Sequence, residues 1–91
     1  MDKEGRMLEK AREEIDEIDA KILELLAERL DICKQLGKYK KQHNLPIQNK
    51  EREKEIIKDR ARKLKELGFD DERFAQELFE LIMKKAREVQ K

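Results

Sequence analysis

"ELLAERLDICKQLGKYKK", residues 24–41, decides the fold, because its apolar spacing is helical while two positions on the stripe are cations. Leu25, Ile32 and Leu36 keep the spacing of one helix face. Arg29 and Lys40 stand where that spacing calls for Leu or Ile. Followed towards the N-terminus, the stripe takes in Ile22, Ile18, Ile15, Ala11 and Leu8 in alternating steps of three and four, a heptad seam. Arg12 sits beside Ala11 on the flank of the seam.

The seam predicts a long first helix over residues 6–43, preceded by a short N-terminal extension at 1–6. Pro46 in "NLPIQN" (44–49) ends it, by pushing Leu45 out of the helical region and removing a backbone donor. A second helix is expected over 50–67, with Asn49 as its N-cap and Arg52 and Glu53 in its first turn. Gly68 in "LGFDD" (67–71) stops it, and Asp70 or Asp71 caps a third helix over 71–90. Gly37 falls inside helix one and costs it about 1 kcal/mol relative to Ala. On the third helix Phe79, Ile82 or Met83, Ala86 and Gln90 share a face, so an apolar stripe ends in an amide. Gln90 lies one residue from the last residue of the sequence, where helix ends fray, so a loosely held amide is expected there.

The fold class read from this pattern is all-α, one domain over residues 1–91 with one long and two shorter helices. At about 1.5 Å per residue the first helix spans roughly 55 Å and the others about 25–30 Å each. One copy of the short helices hardly covers the long seam, whereas the long helix of a second chain would. An intertwined helical-bundle homodimer is expected, with an unstable isolated monomer.

Composition narrows the chemistry. The 91 residues carry 23 Lys or Arg against 22 Asp or Glu, a net charge of +1. That balance argues against a nucleic-acid or anionic-membrane binder, which needs a basic excess. A single cysteine permits no internal disulfide, no apolar run reaches a membrane span, and the charged N-terminus is unlike a signal peptide. A cytoplasmic location is the expectation. Ser, Thr and Trp are absent, which removes Ser and Thr nucleophiles. Cys33 and His43 lie about 15 Å apart along one predicted helix and form no dyad within it. Cys33 reads as a packed thiol and His43 as a helix-end residue. One His and one Cys make a zinc site improbable, there is no glycine-rich phosphate loop, and no cofactor is expected.

What remains is a pair of cations on one stripe, with no Asp or Glu at the seam positions between them. A buried cation is costly without a counter-charge. Arg29 can instead meet a carboxylate of the chain or reach water with its head. With Lys40 on the same side, an external dianion becomes the natural guest, because a guanidinium fork matches a carboxylate.

Taken in order, R-x-x-I-D-x-I-D from Arg12, L-L-A-E-R ending at Arg29, G-K-x-K ending at Lys40, P-I-x-x-x-x-R-E ending at Glu53, and Phe79 with Gln90 eleven residues later resemble the AroQ class of chorismate mutases. The resemblance covers about residues 7–90. It implies conversion of chorismate to prephenate, the committed step toward phenylalanine and tyrosine, by a [3,3] rearrangement of one bound molecule without metal or cofactor. Residue by residue it implies that Arg29 grips a substrate carboxylate and that Arg12 enters the same pocket from the partner chain. Lys40 and Gln90 would donate to the ether oxygen. Glu53, with backbone near Asn49, would orient the ring hydroxyl, and Arg52 would complete the polar wall. The sequence departs from the pattern at Asn49, where Asp is common, and at Ala86, where Ser or Asn often assists a carboxylate. Tyr39 is bulkier than the residue often found before the lysine. An isochorismate pyruvate lyase on the same fold and a non-catalytic dimerisation module stay open as alternatives.

Overall fold

The computed structural model describes residues 3–91. Three α-helices follow one another, α1 (Lys3–Gln42), α2 (Lys50–Glu66) and α3 (Glu72–Gln90), and no strand occurs among the described residues. No helix among them is long and apolar enough to cross a membrane. The helical reading therefore holds, with one correction at its start. Residues 3–5, read from sequence as lying before the helix, already belong to α1, while the expectation for residues 1 and 2 lies outside the described residues.

The helix ends follow from local chemistry. Asn44 adopts φ 55°, the left-handed conformation that asparagine tolerates. The N–H of Leu45 then returns to the Lys40 carbonyl at 2.8 Å, and that of Asn44 to the Lys41 carbonyl at 3.4 Å. This double closure ends α1 before Pro46 is reached. Gly68, at φ 97°, ends α2 in the same way, with Gly68 N–H on the Lys65 carbonyl at 2.9 Å and Phe69 N–H on the Leu64 carbonyl at 3.1 Å. Asn49 caps α2 through its side chain, which accepts from the Arg52 N–H at 3.1 Å. Asp71, of the two aspartates considered, caps α3 by accepting from the Phe74 N–H at 3.0 Å.

The chain divides into two compact units, a first that ends at Asp31 and a second, Ile32–Lys91. In the first unit the seam residues Leu8, Ile15, Ile18, Ile22 and Leu25 are all exposed. In the second, α2 packs on α3. Its buried residues are Cys33, Gly37, Ile56, Ala75, Met83 and Ala86, with Gln90 the single buried polar side chain among the described residues. Cys33 is thus the packed thiol its flanking position implied. Along the outer faces, charges pair at helical spacing, Arg73 with Glu77 at 2.9 Å and Arg62 with Glu66 at 2.7 Å among them. Such exposed pairs are worth little each.

Candidate active site

Three of the residues singled out from sequence, Lys40, Ala86 and Gln90, meet in the second unit. Lys40 lies in the last turn of α1, and Gln90 is the last helical residue of α3. The Lys40 ammonium donates to Gln90 Oε1 at 2.8 Å and to the Ile47 carbonyl at 2.7 Å. The Gln90 amide nitrogen donates in turn to the carbonyl of Ala86 at 3.0 Å. Lysine offers donors only, so its contact fixes which way the amide faces: oxygen to Lys40, nitrogen away from it. An ammonium has three N–H groups and a primary amide two. Each therefore keeps one hydrogen for a ligand.

Gln90 was expected to be loosely held. It is instead only 7% exposed and bonded through both amide atoms. The reason is Gly37, one turn before Lys40 on α1. A Cβ at Gly37 would stand 2.7 Å from the Gln90 Cα and 2.7 Å from its carbonyl oxygen. The missing side chain is what lets the end of α3 lie against α1. Beside it, the Lys41 ammonium donates to the Lys91 carbonyl.

Glu53 stands in the first turn of α2, half-buried, with two partners. Its Oε2 accepts from Arg87 Nη1 at 2.7 Å, and its Oε1 from Gln48 Nε2 at a long 3.3 Å. Glu53, Arg87, Gln48, Lys50, Ile57 and Met83 are among the residues lining a groove of about 230 Å³. A groove of about 560 Å³ lies further along α2 and α3, beside Ala61, Lys65 and Gln76, and contains none of the residues read from sequence. Ala86 is buried and enters the site through its backbone. The Arg52 side chain is exposed and leans towards Glu55 at 3.8 Å.

Arg12 and Arg29 belong to the first unit, where Arg12 is exposed and Arg29 half-buried. Tyr39 and His43 are exposed, and their rings stack at 4.1 Å between centroids. Two participants escaped the sequence reading. Arg87 follows Ala86 on α3 and reads as one more surface charge, because its partner is 34 residues away in the chain. Gly37 reads as a weak point of a helix and as the first residue of G-K-x-K, neither of which shows its close approach to Gln90.

Among the described residues, all in helices or the turns between them, a lysine and a buried amide thus stand side by side. Residues 11–91 match the family chorismate mutase type II, and the chain belongs to it. It is 40% identical over 84 residues to a chorismate mutase of Methanocaldococcus jannaschii, covering 92% of this chain and 84% of the relative. It is 47% identical over 60 residues to a bifunctional chorismate mutase/prephenate dehydratase of Aquifex aeolicus, covering 66% of this chain but 17% of that longer protein. Among solved structures, a conserved hypothetical protein from Pyrococcus furiosus superposes with a TM-score of 0.73 at 38% identity, covering 93% of this chain and 96% of the other.

Proposed function

We propose that this chorismate mutase rearranges chorismate to prephenate in a cationic pocket completed by a second copy of the chain. The observation that carries the reading is the Lys40–Gln90 pair, in which each side chain keeps one N–H after its internal bonds are counted. Both hydrogens suit an ether oxygen on which negative charge gathers as the carbon–oxygen bond breaks. A donor aimed at developing charge favours the transition state over the ground state. Because Gln90 is buried and braced, it needs little reorganisation at the moment of reaction.

The remaining roles concern holding the substrate. Arg29 takes one carboxylate through its guanidinium fork, and Arg12 of the partner subunit takes part in the same pocket. With both carboxylates gripped, the substrate is kept in the compact pseudo-diaxial shape in which the reacting carbons meet. Glu53 accepts from the ring hydroxyl, with the backbone at Asn49 beside it, and Arg52 extends the polar wall. Ala86 gives its carbonyl to Gln90 and leaves a carboxylate without the Ser or Asn side-chain donor that the family often has there.

The second copy is argued from the exposed seam of α1. Leu25 and Ile32 remain 63% exposed each, and Ile15 and Ile18 55% each, on a helix face with coiled-coil spacing. The assembly and the cytoplasmic setting are part of the proposal. The test is the loss of chorismate absorbance on adding purified protein, with the product identified as prephenate, beside an Arg29→Ala variant. Turnover that disappears in Arg29→Ala supports the reading. No turnover by the folded wild-type chain, or pyruvate released from isochorismate instead, sinks it.

A further inference from the structure

We propose that Arg87 is a specificity-determining positioning residue, which cancels the charge of Glu53 so that the ring-hydroxyl subsite prefers a neutral donor to a cationic one. The inference rests on the proposed role of Glu53. It starts from the 2.7 Å contact between Arg87 Nη1 and Glu53 Oε2, made between side chains only 28% and 21% exposed. An ion pair so placed is screened far less than the surface pairs of α2 and α3, so each charge is largely met by the other. The same contact commits one carboxylate oxygen to α3. The other oxygen, Oε1, holds only the 3.3 Å bond from Gln48, which an incoming ligand can replace at small cost.

Two consequences follow for a ligand. A bare carboxylate at this position would repel a dianionic substrate, whereas a neutralised one does not. A bare carboxylate would also select an ammonium over a hydroxyl at that ring position, because both donate a hydrogen bond but only the ammonium adds charge attraction. With Arg87 in place that advantage is removed. The hydroxyl contact lies away from the bonds that form and break, so it stabilises ground and transition states alike. Its weakening is therefore read in KM rather than in kcat.

The experiment compares chorismate with the analogue that carries an amine in place of the ring hydroxyl, in wild-type, Arg87→Met, Arg87→Lys and Glu53→Gln proteins. Helical content and oligomeric state are checked for each. In Arg87→Met the kcat/KM ratio of amine to hydroxyl substrate is expected to rise about tenfold, as for loss of one close charge contact, with KM for chorismate raised and kcat nearly unchanged. Arg87→Lys keeps the charge and should restore most of the wild-type ratio. Glu53→Gln leaves the Arg87 charge unopposed and should move the ratio the other way, which decides the matter even if Arg87→Met does not fold. An arginine that served stability alone would depress both substrates equally. An unchanged ratio, with wild type active on chorismate, overturns the inference and leaves the mutase reading standing. A wild-type chain inactive on chorismate overturns both.

Discussion

A lysine can only donate, and at position 40 that restriction sets the chemistry of its neighbour. The Lys40 ammonium claims Gln90 Oε1 at 2.8 Å, so the amide presents nitrogen to any ligand. A carboxyl at position 90 would meet the same lysine and be held ionised by it, since a nearby cation favours the charged form. Ionised, it has no hydrogen to give an ether oxygen. Gln90→Glu is therefore expected to shift the pH–rate profile towards acid and to have its lowest activity above neutrality, where the carboxylate is fully formed. The measurement is kcat/KM for chorismate across pH 4–9 in wild type and variant. Superimposable profiles would remove Gln90 from the ether oxygen. The glutamine itself was legible from sequence as the polar end of an apolar stripe. Its burial was not, because the cause lies on another helix, in a glycine whose sequence context does not show the close approach.

At the scale of the elements, that glycine ties α1 to α3. Gly37→Ala gains roughly 1 kcal/mol of helix propensity, but its Cβ would fall 2.7 Å from backbone atoms of Gln90, which cannot rotate aside. The expected result is a lowered Tm with a larger loss in kcat than in KM, as the displaced Gln90 leaves the transition-state contact. Undiminished kcat would show that α3 tolerates the shift. On α2, Arg60, then Lys63 and Arg62, hold the Asp59 carboxyl down at about 2 from an ordinary 3.8. A depressed folded value means stability that is present above about pH 4 and lost as pH falls towards 2. Asp59→Asn should lower Tm at pH 7, and the two melting curves should converge on acidification to pH 2. A constant gap between them would show that the ion pairs of Asp59 are not its source. Helix type and nearly every helix end were readable from periodicity and caps. The end of α1 was credited to Pro46, although Asn44 closes it with its left-handed turn, because proline is the louder signal in a sequence and asparagine the quieter one. Arg87 stayed hidden for a related reason. Helical spacing says which face a residue occupies, not which residue of another helix it meets.

Across the whole molecule, the described chain leaves more large apolar side chains exposed than it buries. Its buried apolar set is five residues, Cys33, Ile56, Ala75, Met83 and Ala86, all in the second unit. Against these stand Leu8, Ile15, Ile18, Ile22 and Leu25 in the first unit and Ile32 and Leu36 in the second, each at least 43% exposed. A half-exposed Leu or Ile has about 1 kcal/mol of transfer free energy still to gain on burial. Summed along a seam with coiled-coil spacing, that gain rivals the net stability of a small domain, so folding and association are expected to be one event. Two outcomes follow. The Tm measured by circular dichroism should fall on serial dilution, while sedimentation shows a dimer and no folded monomer. A Tm independent of concentration would rule out the coupling. The interrupted seam then separates function from scaffolding. If the seam serves only to join helices, Arg29→Leu should raise the Tm of the dimer and cost nothing else. If the arginine is there to meet a carboxylate, the same substitution fills the seam, raises Tm or leaves it, and abolishes turnover of chorismate. Stability and activity moving in opposite directions would show that the chain gives up packing at position 29 to make room for its substrate.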